Sequence, residues 1–213
     1  MNSIVSEKRY IQQALGIPYE NLSQSYLRAE TTLASNSQYP FTLQANKKSN
    51  PIVTERLLNL NDQFVITHFR VGLKFLTGTS GFTDTEELNA IVQTYLDPAI
   101  FTGDLVNAAG VYNSSLEFTI DRKQYLPEFP VSSFYRVPDT QTDSPSEGGT
   151  AAIVNAYDNG LYGFYPSEPT LIDGRQTLDI NLVMGSAVDI TDANNTARVV
   201  FETRGYLVVN SKS

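Results

Sequence analysis

Two periodicities divide this chain. Before about residue 35 the apolar side chains recur at helical steps, and from Phe41 to Asn210 they alternate with polar ones in short runs. Ser6 caps a first predicted helix, in which Tyr10, Ile11, Ala14 and Leu15 form a stripe that stops at Gly16 and Pro18. Pro18 then suits the first turn of a second helix. Tyr19, Leu22, Tyr26, Ala29 and Leu33 follow at alternating steps of three and four, which would place them on one side. That side needs a partner, either the body of the same chain or a neighbouring subunit. The polar run from Ser35 to Pro51 reads as a linker or an extended tie. The predicted organisation is a helical N-terminal arm with linker over residues 1–50, followed by a β-sandwich domain over residues 51–213.

In the body, Phe64 to Phe75 is a long strand with Val65, Phe69, Val71, Leu73 and Phe75 on one face and His68, Arg70 and Lys74 on the other. A sheet with one wet face is expected. Gly78 to Gly81 makes a turn, and Glu86 to Val92 fits a short helix or a strand. Leu116, Phe118 and Ile120 alternate with Glu117, Thr119 and Asp121. Pro127, Pro130 and Pro138 then exclude a central strand and mark an edge, a corner or an irregular connection. Asp139 to Thr150 reads as an exposed loop. Ile153 to Tyr157 and Leu161 to Tyr165 flank Asp158, Asn159 and Gly160 as a hairpin, because Asn-Gly supplies the positive φ angles of a tight turn. Leu178 to Val183 and Ala197 to Val209 close the chain as strands. Eight to ten strands separated by turns fit a sandwich, a barrel or a jelly roll.

Composition sharpens this picture mainly by exclusion. Charged residues are 18 % of the chain, while 12 Tyr and 11 Phe favour strands. A net charge of -8 argues against a phosphate-binding surface, and adjacent basic residues are limited to Lys8-Arg9, Lys47-Lys48 and Arg122-Lys123. Zero cysteine removes disulfides and thiolate chemistry. The N-terminus lacks the apolar core of a signal peptide, and a product made in a cytoplasm is expected. With His68 alone, an imidazole metal site or a Ser-His-Asp set has little to build on, and no Gly-x-Ser-x-Gly elbow occurs. Glu86 and Glu87 beside a turn, and Asp189 and Asp192 crowded with Asn194 in one loop, are tempting acidic groups, but solvated loops account for them. No dinucleotide or phosphate-loop motif is present, so neither cofactor nor metal is expected and the chain does not read as an enzyme.

Three stretches carry a resemblance: Leu58 to His68, Leu116 to Pro138, and Pro169 to Leu178 before the closing strands. Together they give the body a layout similar to the jelly-roll capsid proteins of icosahedral, tailless bacteriophages. The resemblance implies an eight-stranded antiparallel jelly-roll β-sandwich whose flanks pack into trimers, pentamers or hexamers of a closed shell. It also implies partners among other capsid proteins, location in the virion, and an arm that ties subunits together or faces the interior. Major, minor and vertex roles stay open, as does an internal membrane beneath the shell. Tyr19, Leu22, Tyr26 and Leu33 of the arm, with Tyr157, Tyr162 and Tyr165 around the Asn-Gly turn, are the expected subunit-interface residues. The competing reading is a carbohydrate-binding β-sandwich in which Tyr157, Tyr162 and Tyr165 stack on sugar rings.

Overall fold

A computed structural model describes residues 3–78, 80–95, 105–137, 140–142, 153–156, 163–188 and 195–209. The protein is mainly β, with two antiparallel sheets face to face. In chain order the elements are α1 (Ser3–Leu15), β1 (Leu22–Thr32), β2 (Asn36–Phe41), β3 (Gln63–Thr77), α2 (Asp84–Asn89), β4 (Val92–Gln93) and α3 (Leu105–Tyr112). They continue with β5 (Ser115–Ile120), β6 (Lys123–Pro130), β7 (Thr140–Thr142), β8 (Ile153–Ala156), β9 (Tyr165–Asp173), β10 (Leu178–Val188) and β11 (Asn195–Val208). One sheet runs β1-β11-β3, with β9 and the short β4 both on the far side of β3; the other runs β2-β10-β5-β6. A separate pair joins β7 to β8.

The ladders nest about one turn. Asp121 and Arg122, at φ 47° and 70°, link β5 to β6 with the two left-handed residues that a tight hairpin requires. Outward from that turn, β3 pairs with β9, β2 with β10 and β1 with β11, so successive strands on one arm meet successive strands on the other. The β11·β3 and β10·β5 ladders then join the arms across each sheet. Between the sheets lies one core. Leu27, Phe64, Ile66, Phe69, Val71 and Phe201 meet Phe41, Leu116, Phe118, Ile180 and Leu182, with Phe201 5.6 Å from the Phe41 ring and Phe69 5.3 Å from Phe129.

The arm differs most from expectation. Residues 22–32 are a strand, and a single 3-10 turn, Tyr19–Asn21, lies between α1 and it. The three-four spacing of Tyr19, Leu22, Tyr26, Ala29 and Leu33 coincides with a period of two that has Leu27 and Ala29 facing the core and Arg28 and Glu30 facing away. Tertiary pairing with β11 decides between the two periods. The boundary at residue 50 shifts accordingly, because β1 and β2 are strands of the two sheets and only α1 stands apart. In α1 the docked side is Glu7, Lys8, Ile11 and Leu15, which keeps Ile11 and Leu15 of the expected stripe, while Tyr10 and Ala14 are exposed.

A bulge alters β3. Arg204 of β11 pairs with His68 and the next residue, Gly205, with Ile66, so Thr67 is an extra residue. Phe64 and Ile66 therefore face the core with Phe69, while Val65 joins Ile11, Leu22, Tyr206 and Val208 on the outer side. The expected placement of Val65 with Phe69 is off by this one step. Pro127 and Pro130 do mark an edge, since β6 is the last strand of its sheet. Ile153–Ala156 pairs with Thr140–Thr142; the Asn-Gly turn with its flanking residues 157–162, and residues 143–150, lie outside the described residues.

At Gly205 an added Cβ would lie 1.8 Å from the Val65 carbonyl oxygen, whereas at Gly185 nothing stands within 4 Å. Gly205→Ala is expected to lower unfolding stability by about 3 kcal/mol, as forced overpacking against backbone does. Gly185→Ala should stay near neutral in the same urea titrations. Removing residues 1–17 should leave a cooperative fold, while removing 1–50 takes away β1 and β2 and should abolish it, read by near-UV dichroism.

Candidate functional site

The polar chemistry of this protein concentrates on the outer face of the β1-β11-β3 sheet. A wet face was expected there, yet β3 is buried on both sides along most of its length. Three coverings account for this. α1 lies over one end, Phe164 lies over the middle, and α2 with the 45–56 segment lies over the other end.

At that last end Lys74 is fully buried, with Nζ 3.2 Å from Glu30 Oε2, 2.8 Å from Glu87 Oε2 and 3.2 Å from Thr54 Oγ1. Arg198 brings Nη1 to 2.6 Å from Glu87 Oε1 and 3.6 Å from Glu30 Oε2, and the Phe82 ring stands 5.5 Å from its guanidinium. Arg28 donates twice to Glu30 Oε1, at 3.0 and 2.7 Å. Thr54 Oγ1 donates to the same oxygen at 2.5 Å. Burial pushes the Glu30 carboxyl upward, but Arg28, Thr54 and Lys74 together outweigh it and hold it below the usual range. Glu55 extends the network by accepting from Lys48 at 2.5 Å and from the backbone N–H groups of Glu30 and Ile52.

The sequence separates Glu86 from Glu87 only by position, and the fold gives them opposite roles. Thr83 and Glu86 form a reciprocal cap at the start of α2, where the Thr83 backbone N–H and hydroxyl lower the exposed Glu86 carboxyl. The next residue points the other way around the helix, into Lys74 and Arg198. Glu87 is thus a buried anchor and not a solvated loop carboxylate. Its clue was the Thr-x-x-Glu signature, which fixes the helix phase.

A second polar centre lies where α1 crosses the bulge. A cleft of about 230 Å³ is lined by Ile4, Glu7, Gln24, Ser25, Thr67, His68, Arg204, Gly205 and Tyr206. Tyr206 donates to Glu7 Oε2 at 2.8 Å, and Glu7 Oε1 is 3.8 Å from His68 Nδ1, which also lies 3.0 Å from Thr67 Oγ1. Burial pushes the His68 imidazole down, Glu7 pulls it up and Arg204 pushes it down again, leaving it below its ordinary value. Burial and then Glu7 raise the Tyr206 phenol. Thr67 and Glu7 approach the same ring nitrogen, so this grouping lacks the nucleophile-base-carboxylate relay of a hydrolase. Beside the cleft, the Arg70 and Arg204 guanidiniums stand 4.4 and 4.3 Å from the Phe164 ring, with Glu202 3.0 Å from Arg70.

The expected interface residues divide. Leu33 is in the main core and Leu22 lies under α1, so neither can meet a neighbouring subunit; both fell on the stripe only because a strand was read as a helix. Tyr19 is exposed and lies under Lys8, Tyr26 is exposed beside Arg56, and Tyr165 is exposed with its ring 4.8 Å from Phe129. Tyr157 and Tyr162 lie outside the described residues. The described residues contain no group of three or more His, Asp or Glu placed to hold a metal, and no helix among them is long and apolar enough to cross a membrane.

Two measurements probe these centres. Lys74→Met leaves two buried carboxylates short of a cation and should cost about 3 kcal/mol in chemical denaturation. Since the folded His68 binds its proton less tightly than the unfolded chain does, stability should be complete above the ordinary value of 6.5 and should decline as pH falls through it. His68→Gln should flatten that segment of a stability-versus-pH curve.

Comparison of the chain with protein-family models, with curated proteins and with solved structures gives no match.

Proposed function

We propose that the sandwich is a jelly roll and that the chain is a self-assembling structural subunit of an icosahedral bacteriophage shell. The observation that carries this reading is the strand order. Taking β1, β2, β3, β5, β6, β9, β10 and β11 as first to eighth, the sheets run one-eight-three-six and two-seven-four-five, and every nested ladder joins strands whose ranks sum to nine. That is the order expected when one long hairpin with four strands in each arm is rolled into a sandwich, the architecture of many capsid domains and also of lectins and cupins.

The local chemistry favours the first of those three. A cupin needs several imidazoles, and this chain has one. The charged clusters bond chiefly to each other and hold α1, α2 and the 45–56 segment against the sheet, which suits a rigid building block. A closed lattice multiplies weak contacts and needs no reactive group. In this reading the subunit is a major, minor or vertex component, located in the virion, with copies of itself and other shell proteins as partners.

Sedimentation and negative-stain microscopy of the purified chain, alone and with other particle proteins, test the proposal. Closed shells, capsomers or incorporation into particles are expected; a strictly monomeric chain under all of those conditions would overturn it.

A further inference from the structure

The exposed edge of β1 shows an unusual hydrogen-bond accounting. Val209 N–H donates to Asn21 O and Leu33 N–H to Ala197 O, which fixes the odd-numbered residues of β1 as those whose backbone groups face β11. The even-numbered residues face outward, as Arg28 demonstrates by exchanging two hydrogen bonds with Arg56 at 2.9 and 3.0 Å. Most of these outward groups are closed off. Leu22 donates to Tyr19 O and accepts from Lys8 Nζ at 2.5 Å, and Glu30 donates to Glu55 Oε1 at 2.7 Å and accepts from Lys48 Nζ at 3.3 Å. Between these closures, the N–H and C=O groups of Gln24 and Tyr26 have no partner among the described residues, and both residues are exposed.

This open window adjoins the cleft, since Gln24 and Ser25 line it. Cations cluster around both. Arg56 is exposed, stands 5.7 Å from the Tyr26 ring and has no carboxylate partner among the described residues; Arg204 lines the cleft with a side chain 37 % accessible. The opposing anions are Glu7, one of whose oxygens is taken by Tyr206, and Glu202, whose Oε2 is held by Arg70 and whose Oε1 stands 4.0 Å from Arg204 Nε, so Arg204 is only loosely paired. In a chain of net charge -8 this edge is locally basic.

We propose that the Gln24–Tyr26 window is a strand-addition site for an acidic, extended segment of another polypeptide. Backbone groups of two residues, one apart, pair with Gln24 and Tyr26, and their side chains fall on the outer face. The carboxylate beside Tyr26 meets Arg56, and the one beside Gln24 enters the cleft toward Arg204 and His68. Ladder hydrogen bonds supply affinity and the two cations select an acid-x-acid pattern. The closures at Leu22 and Arg28 limit the paired stretch to three residues. The site does not depend on the shell proposal, because it requires only the folded monomer.

The test is an NMR titration of the full chain with a blocked five-residue peptide alternating threonine with glutamate, read at backbone amides. Saturable shifts and slowed hydrogen exchange at Gln24 and Tyr26 are expected, with binding about tenfold weaker for the glutamine version because charge-assisted hydrogen bonds are lost. Methylating the peptide's pairing amides should abolish binding. Gln24→Pro should do the same while leaving the β11 ladder intact, since that N–H faces outward; a thermal midpoint checks its fold, and the methylated peptide decides if it unfolds. Equal binding by the methylated peptide, shifts centred elsewhere, or no saturation at millimolar peptide would each overturn the proposal.

Discussion

One inserted residue organises the outer face of this protein. Thr67 interrupts the pairing of β3 with both β11 and β9, and the parity of every side chain on β3 changes across it. Before the bulge, Val65 turns outward and gives α1 an apolar seat shared with Ile11, Leu22 and Tyr206. After it, Arg70 and Lys74 turn outward and require anions. Without the inserted residue, one of these sets would have to enter the main core. The bulge also brings the Gly205 backbone so close to Val65 that no side chain fits there.

The charges that result are an expensive way to cover a sheet. Burying Lys74 with Glu30 and Glu87 is tolerated because each is matched at close range, and such a cluster gains little over apolar packing of the same shape. It does impose geometry. An apolar covering can slide, whereas α2 must present Glu87 in one helical phase and the 45–56 segment must present Thr54 and Glu55 in one register to satisfy Glu30 and Lys74. The network therefore acts as a set of positional locks that hold irregular segments to a regular sheet.

What the sequence revealed follows the range of the interactions involved. The closing strands and β5 were legible because one face of each meets the core and local alternation records it. β1 was misread because its alternation is visible only over Leu27 to Glu30, while a spacing of three and four runs the whole length from Tyr19 to Leu33. Pairing with β11, about 180 residues away, settles the choice, and local propensity carries no record of so distant a partner. The ion network was invisible for a related reason. Its members come from β1, the 45–56 segment, β3, α2 and β11, and each alone resembles a solvated surface charge. His68 read as a structural or surface histidine, and its place beside Glu7 depends on α1 folding back onto the sheet.

The treatment of the sheet edges bears on the assembly proposed for this chain. β2 carries Pro40, β6 carries Pro127 and Pro130, and β9 carries Pro166 and Pro169, each removing a donor from an outer strand. β1 instead is closed by side chains and by Arg56 on either side of the short Gln24–Tyr26 window. Long edge-to-edge sheet extension is thus disfavoured at β1, β2, β6 and β9, which protects a β-rich chain of modest charge density from indiscriminate stacking. In the proposed shell, contacts between whole subunits would use side-chain surfaces, whose chemistry can be matched one patch to another. An architecture that closes its backbone edges and leaves its flanks free suits ordered assembly, because side-chain complementarity fixes angles between neighbours that an open ladder would leave to slip.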